Sequence, residues 1–566
     1  MPIGSKHAGH ALVDLLHAHG VGVVFGLPGG QTAALYDAID HDDRIVHVGV
    51  QDERSAAYAA DAYARLTGRV GVCDATVGPG TAKLPSGLGE ALNSSIPVLA
   101  LVSDLPMATE ARRYRGATSQ ALDQEALLRP VTKWVGTVRR IDDLGPVIRR
   151  AFREATGGRP GPVAVILPQD LLDGPPPVDS QSDDPHAARF GRFPSTPAPP
   201  DPADLTDLTE LMDGAERPLL VIGGGAHRQG IRAVAGRLMD AGYAVATTLS
   251  GKGAVDETHP MAVGVLGSLG TPAARTIADA ADLLILAGTK WGSGTTSGWS
   301  LPHPGQRVAQ IDIDPVELGR DRPVDAPVCA DALATLTALR PADVAGDAWR
   351  RQVAEARNAW HDERSTLCAS AAVPIDPQRV MAELGRVIRA DDVVIADASL
   401  SSGWVGSFLE TGPDGPRTLF PRGLAGLGWA IPAALGAVEA GAPRVVAVMG
   451  DGAAPYAIGE LGELVRRRGP VLAVVLNNGS YGWIRWYRRV AFGRGWEEPD
   501  LPDTSFAAVA GAYGLWTRRV EAPADLASAF DEAPDGPALI EVMTSTWQTP
   551  IAAHRDALER EERADY

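Results

Sequence analysis

The chain is short of cysteine, of aromatic residues, of positive charge and of long apolar runs. Three cysteines in 566 residues, Cys73, Cys329 and Cys368, lie far apart without a CxxC spacing. That argues against a disulfide framework or a structural zinc site and suits a reducing compartment, so a cytoplasmic location is expected. Lys and Arg number 52 against 70 Asp and Glu, a formal net charge of −18. Nucleic acid and anionic membrane are therefore not expected as partners. The local basic runs 466–468 and 485–489 read as solvated helix faces. No apolar run approaches the roughly 20 residues of a membrane span. The opening MPIGSKHAGHALVDLLHAHG shows helical spacing rather than a signal-peptide layout. Aromatic residues make up only 5% of the chain, so aliphatic side chains must build the cores.

What is present is an ordinary globular composition, 45% hydrophobic and 22% charged, at a length that calls for about three domains. The first third alternates helical patterns with nearly continuous runs of Val, Ile, Leu and Ala. Examples are VGVVFG, IVHVGV, RVGVCDAT, PVLALVS and GPVAVILP. Such runs suit strands covered on both faces, and their alternation with helices predicts a doubly wound parallel sheet. A Pro-, Ser- and Asp-rich stretch from 173 to 205 reads as a linker. A second alternating block follows, closed by a charged helix near 348–365, and a third begins near Gln378. The expected organisation is α/β with three doubly wound parallel-sheet domains, at 1–175, 200–342 and 374–550, and a charged tail at 551–566. The first and third blocks match in size and pattern.

The third block carries the chemistry. The run Val445–Met449 drops into Gly450-Asp451-Gly452, and a second apolar run ends in Asn477-Asn478-Gly479, with Asp451 and Asn478 27 positions apart. That interval holds one helix and one strand, so both clusters fall at strand carboxyl ends, where doubly wound sheets bind ligands. A helix expected to start around Ala454 would direct free N–H groups and its positive dipole end at the turn, an anion site suited to phosphate. Asp451 offers a hard carboxylate oxygen and Asn478 an amide oxygen, which together with a diphosphate would suit magnesium. Plain turn sequence is the alternative for either motif taken singly.

GDG followed by NN about 25 residues later resembles the thiamine diphosphate-binding motif. The resemblance extends over nearly the whole chain through GVVFGLPGGQTAALYDAI, DERSAAYAADAYARLTGRVGV, TVGPGTAKLPSGLGEALNSSIPVLAL, IDIDPVELG and GLAGLGWAIPAALGA. It is closest to the acetolactate synthase group, with benzaldehyde lyase and the oxalyl- and 2-hydroxyacyl-CoA lyases. This resemblance implies a pyrimidine-binding first domain, a middle domain and a diphosphate-binding third domain. It also implies a homodimer or homotetramer, each cofactor lying between the first domain of one chain and the third domain of its partner.

Several residue roles follow from the resemblance. Glu53 takes the position of the glutamate that hydrogen-bonds pyrimidine N1′ and promotes proton removal from thiazolium C2; a carboxylate serving only the helix start is the structural alternative. Asp451 and Asn478 would bind magnesium by side chain and Ser480 by backbone carbonyl. Leu427 would be the apolar wedge under the cofactor's bend, which brings its two rings together. Gly450, Gly452, Ala453, Ser399, Ser401 and Tyr481 would line the cofactor, although serines at a helix start also act as caps. Gln31 and Gln120 are candidate substrate-orienting groups.

The implied reaction is that of a thiamine diphosphate- and Mg-dependent carboligase. It would decarboxylate pyruvate or a related 2-oxo acid and transfer the acyl carbanion to a second carbonyl compound. A lyase of 2-hydroxy ketones or 2-hydroxyacyl-CoA is the enzyme alternative, and a non-catalytic cofactor-binding relative the alternative from another class. FAD in the middle domain is possible, since VIGGGAHRQG and LAGTKWGSGTT loosely resemble the flavin segments. The chain departs from the group at Asp52, Lys83, Gln31 and Trp483, and Lys83 stands where the group has asparagine.

Overall fold

The structure is a computed structural model that describes residues 6–113, 116–178, 184–340, 342–344, 346–493 and 500–551. The expected tail lies outside the described residues from 552 onward. Among the described residues no helix is long and apolar enough to cross a membrane.

Three six-stranded sheets form, and every strand pairing within them is parallel. The first holds β1 (Val23–Gly26), β2 (Val46–Gly49), β3 (Gly71–Ala75), β4 (Val98–Asp104), β5 (Trp134–Thr137) and β6 (Val163–Pro168), in the order β2-β1-β3-β4-β6-β5. The second holds β7 (Pro218–Ile222), β8 (Ala244–Thr247), β9 (Ala262–Val265), β10 (Leu283–Ala287), β11 (Arg307–Asp312) and β12 (Ala326–Cys329), in the order β12-β11-β10-β7-β8-β9. The third holds β13 (Val393–Ala396), β14 (Arg417–Leu419), β15 (Val445–Gly450), β16 (Val471–Asn477), β17 (Trp516–Val520) and β18 (Ala538–Met543), in the order β14-β13-β15-β16-β18-β17. Renumbered from their own first strands, the first and third sheets have one and the same order. The middle sheet has the 3-2-1-4-5-6 order of dinucleotide-binding folds.

Strand composition explains the layering. Every residue of β3, β4, β6, β7, β10 and β16 is buried, as sheets covered by helices on both faces require. The order matters for function. In the first and third sheets the chain reverses direction of winding between the first and third strands, so their carboxyl ends flank the crevice where a ligand binds. Those ends are 27–31 and 76–80 in the first sheet, and 397–401 and 451–453 in the third.

The chain divides into two compact units. One comprises Met1–Thr196 with Pro421–Gly441 and Ala457–Arg467; the other comprises Pro197–Phe420, Ala442–Tyr456 and Arg468–Tyr566. In the first unit, helix Ala430–Glu439 packs on helix Glu53–Thr67. The loop before it is tied down by the fully buried Glu90, whose carboxylate accepts the N–H groups of Gly423, Leu424 and Ala425 at 2.7, 2.8 and 3.0 Å.

Two expectations are corrected. The stretch 173–205 is not a free linker throughout. Val70 N–H donates to the Gly191 carbonyl and Phe193 N–H to the Gly68 carbonyl, and a short helix forms at Ala187–Phe190, so this stretch is built onto the first unit as far as Thr196. Nor does an α-helix start at Ala454. Ala454–Glu460 is a tight 3-10 segment broken at Ala457, and the α-helix covers only Leu461–Arg466. Pro455 supplies no amide hydrogen and Gly459 lowers helix propensity there, so the sequence sustains only single turns. The basic runs also have protein partners. Arg466 pairs with Glu463, Arg467 donates to the His47 carbonyl, and the Arg489 guanidinium lies 3.7 Å from the Trp547 ring centroid.

Glu460 gives a stability test. It is 1% exposed, and both its oxygens accept the Gln51 N–H at 3.1 Å. Burial pushes its carboxyl up to about 7, only partly offset by the Gln51 N–H and the nearby Ser55 hydroxyl. A carboxyl raised in the folded state stabilises least at high pH: its penalty is absent below about pH 4.5 and grows as pH rises towards 7. Glu460→Gln should therefore match the wild type near pH 4 and exceed it at pH 8 by up to about 3 kcal/mol. Melting curves at both pH values measure this, and equal destabilisation at both would contradict it.

Candidate active site

The first cluster surrounds Glu53. Asp52 ends the extended segment after β2 and caps the helix Glu53–Thr67, its carboxylate accepting the Arg54 N–H at 2.9 Å. Glu53 is thus not needed as the cap, and its carboxyl group is only 3% exposed as a residue. A Cβ at Gly80 would come within 2.7 Å of Glu53 Oε1 and 3.0 Å of Thr76 Cγ2, so the bare backbone after β3 closes directly onto this carboxylate. Glu53 Oε2 has no hydrogen bond within the described residues, and the Lys83 ammonium stands 3.2 Å from it as an ion-pair partner.

Gln31 and Gln120 join the same sheet end. Gln31 Oε1 accepts the Thr76 hydroxyl at 3.0 Å. Gln120 is exposed, with φ +63°, and its backbone oxygen would lie 2.5 Å from a Cβ at Gly78. The neighbouring Gln124 is buried and accepts from Gly78 N–H and the Thr81 hydroxyl, a structural role that leaves Gln120 as the glutamine open to a ligand. Leu427 lies half-buried on the Glu90-anchored loop of the same unit. A Cβ at Gly426 would come within 2.7 Å of the Tyr58 hydroxyl, which fixes this loop against the helix that begins with Glu53.

The second cluster lies at the end of β15 and β16. Asp451 is 4% exposed; its Oδ1 accepts the Gly452 N–H at 3.0 Å and its Oδ2 the Ser480 N–H at 3.2 Å. The Ser480 N–H also donates to Asn478 Oδ1 at 3.1 Å, so the structure brings together Asp451, Asn478 and Ser480. Burial raises the Asp451 carboxyl to about 6 despite the backbone N–H groups of Gly479, Gly452, Ser480 and Asn478 that favour its charge. A buried carboxylate with this deficit is where a divalent cation gains most. Tyr481 packs on Gly452, where a Cβ would lie 2.9 Å from the ring, and Ser401 Oγ lies 3.9 Å from the corresponding point on Gly450. Ala453 is buried, and its N–H turns back to the Gly450 carbonyl.

Ser399 begins the helix Leu400–Phe408 at φ +72° and makes no side-chain cap. A serine in that backbone region costs about 1–3 kcal/mol and is kept where the surroundings enforce it, commonly at binding sites. Ser402 instead ties the start of this helix back to the strand end, its hydroxyl donating to the Asp397 carbonyl at 2.7 Å.

The residues fit a thiamine diphosphate with its metal. Glu53 Oε2 is a buried oxygen that makes no hydrogen bond among the described residues and faces only the Lys83 ammonium. Asp451, Asn478 and the Ser480 carbonyl form an all-oxygen donor set of the kind hard cations take. Sequence reasoning had not assigned a site role to Lys83 or Thr76. Lys83 was visible only as a departure from a pattern, because it reaches Glu53 through the packing of two helices, and Thr76, in the turn after β3, carried no signal.

Comparison with known proteins agrees. Three family models match: "Thiamine pyrophosphate enzyme, N-terminal TPP binding domain" over residues 6–127, the central domain over 205–339 and the C-terminal TPP binding domain over 397–542. The acetolactate synthase large subunit of Parasynechococcus marenigrum is 33% identical over 89% of this chain and 82% of its own length. The isozyme 2 large subunit of acetolactate synthase from Escherichia coli is 31% identical over 97% of this chain and 98% of its own. A probable acetolactate synthase large subunit of Methanocaldococcus jannaschii is 30% identical over 92% and 89%. With three matching domains, these relatives and the two carboxylate clusters at matching sheet ends, the chain belongs to the thiamine pyrophosphate enzymes and is a thiamine diphosphate-dependent enzyme of the acetolactate synthase group.

Proposed function

We propose that this enzyme decarboxylates pyruvate or a related 2-oxo acid and joins the acyl unit to a second carbonyl compound. The observation that carries the reading is Glu53, a buried carboxylate packed against the side-chain-free backbone of Gly80, whose Oε2 makes no hydrogen bond among the described residues and faces only the partly exposed Lys83 ammonium. A protein that only bound the cofactor would have no chemical use for such a group. Bound thiamine diphosphate supplies a nucleophilic ring carbon that adds to the 2-oxo group and takes the electron pair left by carbon dioxide.

The protein's part is to hold and to move protons. Glu53 exchanges a proton with the pyrimidine ring nitrogen. Asp451, Asn478 and the Ser480 carbonyl hold magnesium, and the ion with the N–H groups around Gly450, Gly452 and Ala453 and the hydroxyls of Ser399 and Ser401 holds the diphosphate. Leu427 supports the cofactor's bend, Tyr481 walls the diphosphate end, and Gln31 and Gln120 orient donor and acceptor carbonyls. The domain limits 1–175, 200–342 and 374–550 assign the pyrimidine end to the first domain and the diphosphate end to the third. A homodimer or homotetramer with active sites between chains, working in the cytoplasm, completes the proposal. FAD, if bound, would lie in the middle domain, whose sheet has the strand order of dinucleotide-binding folds.

The test is carbon-13 NMR of the protein with thiamine diphosphate, magnesium and labelled pyruvate. Accumulation of acetolactate, acetoin or another acetyl-transfer product supports the proposal. Intact pyruvate and other 2-oxo acids, with cofactor bound, would overturn it; cleavage of a 2-hydroxy ketone or 2-hydroxyacyl-CoA would then make the enzyme a lyase.

A further inference from the structure

Lys83 bridges two consecutive carboxylates. Its Nζ lies 3.2 Å from Glu53 Oε2 and 3.3 Å from Asp52 Oδ2. The lysine projects from the first turns of helix Pro79–Ser94, and the carboxylates come from the cap and first residue of helix Glu53–Thr67. These two helices pack on each other in one unit, so the bridge is fixed by the fold. The Lys83 side chain is 45% exposed and that of Glu53 4%. An ammonium that keeps access to water therefore has its charge against a carboxylate that has lost it.

We propose that Lys83 is a positioning residue for Glu53: its ammonium holds the carboxylate in place and in its ionised form, so that the proton shared between Glu53 and the cofactor's pyrimidine nitrogen rests on the nitrogen. The proposal rests on the reading of Glu53 given above. The step it governs is a single proton transfer. The O–H bond of the Glu53 carboxyl breaks, an N–H bond forms on the ring, and the negative charge left on Glu53 is paired by Lys83. Burial disfavours a bare carboxylate charge, and a cation at this distance favours it.

The other charged groups around Glu53 act against ionisation or farther away. Asp74 on β3 and Tyr36 on helix Ala33–Asp40 interact with Glu53, and His47 at the end of β2 pairs with Asp74 at 3.1 Å. Asp52 is beside it in sequence. Arg54 lies 4.0 Å from Asp52, and Glu460 acts on Asp52 from the segment Ala454–Glu460. Desolvation by itself would lower the Lys83 amine; Glu53 and Asp52 outweigh it and hold the amine above its ordinary value, so Lys83 stays charged throughout the working range.

The experiment compares wild type, Lys83→Gln, Lys83→Arg and Asp52→Asn. Because Lys83 is partly solvated, its loss should move the acid limb of kcat/KM up by about one pH unit rather than by the two or three possible for a buried pair. Asp52→Asn, which keeps a capping oxygen but removes a competing negative charge, should move the limb down. Lys83→Arg should resemble the wild type. A readout independent of turnover is the number of protons taken up from buffer when thiamine diphosphate and magnesium bind at pH 6, measured by calorimetry in two buffers. Lys83→Gln, which lacks the cation facing Glu53, should take up fewer than the wild type.

A general structural disturbance would move Lys83→Gln and Asp52→Asn the same way. Shifts of one sign in both, or none in either, would overturn the proposal. If Lys83→Gln does not fold, Asp52→Asn and Lys83→Arg still carry the sign test. If Glu53→Gln binds with the wild type's proton uptake and turns over normally, the reading of Glu53 itself fails, an outcome distinct from a silent Lys83.

Discussion

Glu53→Gln is expected to bind thiamine diphosphate and magnesium within about tenfold of the wild-type affinity and to lose about 10²–10⁴-fold in turnover. Glutamine has the shape of the glutamate and can still hydrogen-bond a ring nitrogen, but it cannot exchange a proton with it. The variant should fold, because capping of the helix Glu53–Thr67 is done by Asp52 and not by Glu53. Cofactor titration followed by steady-state assay separates the two effects. Wild-type turnover in this variant would remove Glu53 from the mechanism. An inactive wild type, with cofactor bound and every donor class tried, would favour a non-catalytic relative.

Asp451→Asn is the second large effect. It should weaken magnesium-dependent cofactor binding by about 10²-fold or more, since a neutral amide would replace the one anionic group of the proposed cation site. The same variant should gain stability when metal and cofactor are absent. Burial raises the Asp451 carboxyl from 3.8 to about 6 in the folded chain. Its penalty is therefore absent below about pH 4, grows as pH rises through that window and is complete at pH 8. The linkage amounts to at most about 3 kcal/mol, and one accepted backbone hydrogen bond worth about 1 kcal/mol is weakened in exchange. A net gain of about 1–2 kcal/mol at pH 8 and none at pH 4 is expected from melting of metal-free protein. A loss at pH 8 would mean that the carboxylate is satisfied by its backbone partners alone, and the case for a cation beside it would weaken.

The two carboxylates differ in how they could be found. Asp451 was legible because its neighbours in sequence are its neighbours in space: the strand, the glycine turn and the Asn478 cluster one βα unit later all lie on one sheet edge. Glu53 follows a strand and opens a helix, which composition cannot distinguish from any acidic helix start; its assignment needed the family resemblance. Its surroundings, Gly80, Thr76 and Lys83, come from another βα unit and appear only when helix Pro79–Ser94 packs on helix Glu53–Thr67. The failed expectation of a full helix after Asp451 has a local cause, because Pro455 and Gly459 break what apolar spacing alone would continue.

By itself the sequence determined the class of fold and which polar residues stand at the two strand ends. Continuous β-branched and aliphatic runs alternating with helical patterns suit helix-covered parallel sheets, and the polar residues that end two of those runs fall at strand carboxyl ends. Only the tertiary structure decided the order of the strands, which gives the first and third sheets the same crevice position and the middle sheet a different one. It alone placed the loop 423–425 on Glu90 across more than 300 residues of chain, and Lys83 against Glu53. These contacts depend on which helix faces meet when apolar surface exposed to water is minimised and buried charges find partners, and no local periodicity encodes that choice.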